Sequence, residues 1–223
     1  MSMLTPLWIS LRLAGTTTII LLLIGTPLAW WLSRTRTCFK SLIESIVALP
    51  LVLPPTVLGF YLLIVLGSGG WIGHAWQQLT GSSLVFTFKG LVIGSVIYSF
   101  PFVIQPLQNA FESMDQRPLE LAATLRASKW DRFLTVILPL SRRGFLSAIV
   151  LGFTHTLGEF GVVLMIGGNI PGKTQVVSIS VFDYVEQLQY HQANVLSFGL
   201  LVFSFVVLLT VFSANRFYQK KGI

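Results

Sequence analysis

Charge is scarce in this chain: of its 223 residues only 10% are Asp, Glu, Lys or Arg, whereas 53% are apolar. With a mean hydropathy of +0.76, this is too little charge to clothe a water-soluble domain of such size, whose helices each need a polar face. Cysteine is almost absent. Cys38 stands alone, which excludes an internal disulfide. Enzyme signatures are missing as well. No G-x-x-x-x-G-K-[ST] occurs, so the chain is not expected to bind or hydrolyse ATP, and GSGG at 67–70 lacks the lysine and the preceding strand of such a loop. The scattered histidines and lone cysteine form no nucleophile pair, and no H-E-x-x-H supplies a metal site. No catalytic residue and no metal site is expected.

What the chain has instead is long apolar sequence. Runs at 8–32, 46–66, 84–104, 145–166 and 195–213 are each long enough for a membrane-spanning helix of roughly 20 residues. The fold class expected is therefore an all-α, polytopic membrane protein with about five transmembrane helices, built as one domain over 1–223. The opening MSMLTPLW lacks a basic segment, and no small-residue cleavage site follows before WWLSRTR, so the first run is read as a retained span rather than a signal peptide.

The net charge of +7 invites a nucleic-acid reading, but its placement opposes it. All basic residues except Arg12, Lys89 and Lys173 fall after the first, third or fifth run: Arg34, Arg36 and Lys40, then Arg117 to Arg143, then Arg216, Lys220 and Lys221. Cytoplasmic loops carry such an excess. This puts the amino terminus outside and the carboxyl terminus in the cytoplasm, with Cys38 beside a reducing compartment. Two loops lie on the outer side, 67–83 and 167–194, and SISVFDYVEQLQ in the second reads as a short re-entrant or interfacial helix.

The inner loop, 105–144, contains LELAATLRASKWDRFLTVILPL. Asp115 as a cap, Pro118 in the first turn and Glu120 at the positive helix end predict a short helix. Ala127 and Ser128 allow a break before a second piece, which Pro139 stops or kinks. On composition alone this is a solvated helical loop. Its spacing says more. Glu120, Ala122, Val136, Leu138 and Pro139 resemble, without a gap, the EAA loop of ABC importer permeases, whose pattern is E-A-A-x-x-x-G, nine residues, then I-x-L-P. Leu121 stands where an alanine is usual and Arg126 where a glycine is usual.

LPLVLPPTVLGFYLL, LPLSRRGFLSAIVLGF and TLGEFGVVLMIGGNIPGKTQ resemble the permease subunits of molybdate importers, over nearly the whole chain. This resemblance implies the ABC importer permease fold in a bacterial inner membrane, passing molybdate, with sulfate, thiosulfate or tungstate as alternative cargoes. A channel or carrier without an ATPase is the alternative from another class. The resemblance also implies a homodimer, two cytoplasmic ATP-binding subunits, an external or periplasmic oxyanion-binding protein, and a lipid surround. ATP and magnesium would sit on the partner ATPase, with no cofactor on this chain. Coupling to that subunit is expected from Glu120, Leu121, Ala122, Ala123, Leu125, Arg126, Ala127, Ser128, Leu138 and Pro139.

Other candidates carry two readings each. Pro50, Pro54 and Pro55 interrupt the second run and either line a pathway or only kink it for packing. Thr16, Thr17 and Thr18 either meet a passing anion or bond within their own helix. Glu159 is an acid in an apolar run, where charge is costly and commonly functional or paired. It either bonds a neighbouring helix or lies along the pathway, where a bare carboxylate would repel an oxyanion. His155, four residues earlier, would share its helix face and raises a metal or proton-relay reading. Snorkelling accounts for Lys89.

Overall fold

The computed structural model describes residues 4–220, with side chains except at 211, 212 and 214–220. Arg216, Lys220 and Lys221 of the basic tally lie outside the described side chains. Among the described residues every regular element is a helix.

Helix α1 (Leu4–Arg34) crosses the fold in one piece despite Pro27. Residues 46–66, read from the sequence as a single span, belong instead to two helices, α2 (Lys40–Val52) and α3 (Pro55–Leu66), bent at 112°. The cause is local. A proline pushes the residue before it out of the helical region, and here two in succession leave Leu53 at ψ 135 and Pro54 at ψ 134. Pro55 then serves as the first residue of α3, where its missing N–H costs nothing.

After a short helix, α4 (Trp71–Thr80), comes the central one, α5 (Phe88–Glu112). It lies against α1, α2 and two helices that follow it. Leu21, Leu32, Ile104, Leu107 and Phe111 are fully buried there. Lipid is as apolar as leucine, so burial drives helix association weakly in a bilayer and close packing through small residues takes over. At Gly144 an added Cβ would stand 2.2 Å from the Ala110 Cβ.

Helix α5 runs on past 104, so the segment 105–144, expected as an inner loop, is mostly helical. It holds α6 (Arg117–Thr124), α7 (Lys129–Arg132) and a π-helical turn, Phe133–Ile137, that feeds α8 (Leu138–Leu157). Pro139 neither stops nor sharply kinks this path. The turn before it bonds the Leu138 N–H to the Phe133 carbonyl, five residues back, and the wider π geometry admits the proline ring at the start of α8.

The apolar run 145–166 is divided at Gly158–Phe160 between α8 and α9 (Gly161–Gly167); α10 (Val177–Glu186) and α11 (Tyr190–Lys220) complete the chain. Four helices or helix pairs, starting at Leu4, Phe88, Lys129 and Tyr190, are long and apolar enough to span a membrane, and the bent α2–α3 pair makes up to five. The exposed Phe198, Leu201, Phe205 and Leu209 of α11 have the composition of a lipid-facing surface.

Candidate functional site

The two interrupted runs meet. Gly161, the first residue of α9, approaches α3 so closely that an added Cβ would lie 2.8 Å from the Pro55 Cβ and 3.3 Å from the Thr56 nitrogen. Beside this junction is a cavity of about 510 Å³ lined by Pro55, Thr56, Tyr98, Thr154, His155, Gly158, Glu159, Phe160 and Gly161. Broken helices in membranes are tolerated where their freed backbone lines a cavity, and transporters place their sites at such points.

Glu159 is buried, 4% exposed, and neither carboxylate oxygen has a hydrogen-bond partner among the described residues. The polar group beside it is the buried Ser95 hydroxyl, near enough to act on the carboxylate but outside good hydrogen-bond geometry. Leaving a buried polar group unpaired costs about 1–3 kcal/mol, so packing alone does not account for an acid here. Its backbone is nevertheless well held: the Glu159 carbonyl accepts from the Ser178 hydroxyl at 2.5 Å.

His155 is fixed from three sides. Its Nδ1 lies 2.9 Å from the Ser99 hydroxyl, which is 2.8 Å from Thr156 Oγ1. Phe102 stacks on the imidazole at 3.7 Å between ring centres, and Tyr98 approaches at 4.8 Å. The shared helix face expected for His155 and Glu159 does not form, because α8 ends at Leu157. The two line one cavity instead. No cluster of three metal-ligating side chains occurs among the described residues.

The NIPGKTQ stretch braces this region from the other side. Thr174 donates to the Gly167 carbonyl at 2.7 Å, Asn169 and Gln175 both donate to Asp183 of α10, and the Val177 N–H reaches Ser10 of α1 at 2.8 Å. The polar side chains of the stretch therefore tie α9 to α10, and the first backbone N–H of α10 joins that pair to α1 through Ser10. These side chains do not face the cavity.

A second candidate surface is α6 with α7. Asp115 accepts from the Arg117 N–H, and Ser128 caps α7 by accepting from the Asp131 N–H, both at 3.1 Å. Helix α6 closes with two paired bonds, Arg126 N–H to the Ala123 carbonyl and Ala127 N–H to the Ala122 carbonyl, each 3.0 Å. These are the bonds of a Schellman cap, whose residue after the helix end takes left-handed backbone and is most often glycine. Arg126 holds that place at φ 57. Leu121, Leu125 and Trp130 are 64%, 82% and 75% exposed, an apolar surface set among charges.

The other candidates scatter. Thr16 and Thr18 donate to carbonyls of their own helix, at 2.8 and 2.7 Å, while the Thr17 hydroxyl is buried and unpartnered. Pro50 is buried within α2, and of the three prolines Pro55 reaches the cavity. Leu138 and Pro139 open α8, directly after the π-helical turn against which α6 packs. Sequence reasoning missed Thr56, Tyr98, Ser95 and Ser99. The last two stand one helical turn apart within an otherwise apolar span, a spacing that marks one polar face.

Residues 17–221 match the family model described as binding-protein-dependent transport system inner membrane component. The molybdenum transport system permease protein ModB of Azotobacter vinelandii is 59% identical over 209 residues, 94% of this chain and 92% of that protein. ModB of Haemophilus influenzae is 36% identical over 196 residues, 87% and 86% of the two chains. The probable sulfate transport system permease protein cysT of Chlorella vulgaris is 35% identical over 187 residues, 84% of this chain and 70% of that one. A solved bacterial alginate ABC transporter, in complex with an alginate pentasaccharide-bound periplasmic protein, superposes at TM-score 0.74 and 15% identity, covering 93% of this chain and 76% of that one. That likeness shows a common fold. The chain belongs to the binding-protein-dependent transport system inner membrane components, and its apolar helices are those of a multi-pass protein of that membrane.

Proposed function

We propose that this member of the inner membrane component family is the membrane-spanning subunit of an ABC importer for molybdate. The observation that carries the substrate is the 59% identity to a molybdenum transport permease over 94% of the chain. Two copies enclose the pathway, since a chain with so few spans encloses a path only against a partner and two-fold symmetry is the commonest closed arrangement. An external binding protein delivers the oxyanion. The excess of basic residues beside α6 supports the amino terminus outside and the carboxyl terminus in the cytoplasm.

ATP and magnesium bind a separate cytoplasmic subunit, present twice. Its docking surface is α6: Glu120, Ala122, Ala123 and the exposed Leu121 and Leu125 form a short helix that small residues let a partner approach closely. Closing of the ATPase pair moves α6, and the movement passes through the π-helical turn into α8 and so to the break at Gly158–Phe160. The cavity beside that break is the part of the pathway this chain contributes, with Thr56, Thr154, Tyr98 and His155 offering polar atoms to the anion. Each state favours its own contacts, which is what alternating access requires.

Sulfate is the second reading, supported by the 35% identity to a probable sulfate permease. Calorimetry on the binding protein that co-purifies with this chain separates the two. Tight molybdate binding that excess sulfate does not displace is expected; sulfate binding with no molybdate binding overturns the substrate assignment.

A further inference from the structure

A second cavity, of about 590 Å³, lies at the membrane end where α6 and α7 emerge, between α1 and the 129–137 segment. Its walls are Leu22, Pro27 and Trp30 of α1 and Trp130, Phe133 and Ile137 opposite, and the charged side chain on its lining is Lys129. From Leu22 to Trp30 the groove follows α1 for about 12 Å at 1.5 Å per residue. Next to it, the Arg34 guanidinium stacks over the Trp30 ring at 4.5 Å. Two of its nitrogens, Nε and Nη2, are buried without a hydrogen-bond partner.

Among the described residues no carboxylate forms an ion pair with Arg34 or Lys129. Of the acids at this end, Glu44 and Glu112 are taken by Lys40, at 3.6 and 2.9 Å, Asp115 accepts from the Arg117 N–H, and Glu120 lies on exposed α6 with no ion pair to Arg34 or Lys129. Asp131 is two residues from Lys129, a spacing that does not bring side chains together on a helical turn. The result is an apolar, aromatic-walled groove of membrane depth, ending in a lysine and an unsatisfied guanidinium. A free anion would leave the groove empty, and a neutral lipid would leave the cations unanswered. We propose that the groove holds one anionic phospholipid, its acyl chain along Leu22–Trp30 and its phosphate at Lys129 and Arg34. Basic pockets between helices at a membrane surface bind such headgroups. Because the lipid would bridge α1 to the segment that follows α6, its presence stiffens the link between loop and span.

The test is native mass spectrometry of the full chain, purified in detergent with the subunits that accompany it and supplied with phosphatidylglycerol or phosphatidylcholine. The wild type retains phosphatidylglycerol in preference to phosphatidylcholine. Lys129→Gln, at an exposed position, lowers that retention about fivefold, the effect of one cation near a lipid surface. Lys89→Gln removes a charge at the far end of α5 and leaves retention unchanged. Equal retention by wild type and Lys129→Gln, an equal fall in both variants, or equal retention of the two lipids overturns the proposal. So does loss of the lipid whenever an ATPase subunit co-purifies, which would give the groove to that subunit. None of these readouts depends on transport, so the result stands apart from the identity of the cargo.

Discussion

Replacing Arg126 by glycine should tighten the end of α6. Arg126 lies at φ 57, and left-handed backbone costs an L-residue with a Cβ about 1–2 kcal/mol. Glycine escapes that cost but surrenders about 0.5–1 kcal/mol of chain entropy. The net gain is about 0.5–1 kcal/mol, a factor of about two to five in the closing equilibrium of the cap. The Arg126 side chain is exposed, so its removal opens no void in the core. Hydrogen exchange of the amides at 126 and 127, which close the cap on the Ala123 and Ala122 carbonyls, reads the effect directly. After correction for intrinsic rates, exchange slows about two- to fivefold in Arg126→Gly and quickens in Arg126→Val, whose branched side chain fits left-handed backbone worse still. Unchanged or faster exchange in the glycine variant would refute the strain at this residue.

Other expectations follow from the same geometry. Gly144→Leu forces α5 and α8 apart at Ala110, 2.2 Å from the added Cβ; overpacking costs about 1–3 kcal/mol or more, a lower unfolding temperature in detergent checks it, and Ala110→Gly should restore part of the loss. Lys40→Met removes the ion pairs to Glu44 and Glu112, but these are partly exposed, so the cost stays below about 1 kcal/mol and the difference from wild type shrinks in high salt. Glu120→Arg and Ala122→Asp leave membrane insertion intact and uncouple ATP hydrolysis from uptake, measured side by side in proteoliposomes. Glu159→Gln keeps the side-chain size and removes the charge of a carboxylate that has no hydrogen-bond partner to lose, so thermal stability holds while uptake falls; a destabilised protein with normal uptake would make Glu159 a structural residue instead.

The membrane class was legible because apolar runs of spanning length can be read one residue at a time, and the family because the spacing from Glu120 to Pro139 is rigid. The break inside 145–166 was not legible. Gly158 alone does not end a helix, and the interruption is held by Gly161 resting on Pro55, a contact between residues more than a hundred positions apart. Pro139 misled for the opposite reason: proline reads as a stop, yet a single π-helical turn before it absorbs the missing N–H. Arg126 became intelligible once the helix end was located, since the residue that follows a Schellman cap is where glycine is wanted. The cavity residues Thr56, Tyr98, Thr154 and His155 come from α3, α5 and α8, and no one stretch of sequence announces them together.

Uptake of radiolabelled molybdate into proteoliposomes containing this chain, its ATPase and its binding protein tests the central claim most directly. Uptake that requires ATP, withstands excess sulfate and disappears in Ala122→Asp is the result this structure predicts. Uptake without ATP, or an Ala122→Asp variant that transports as well as wild type, would contradict it.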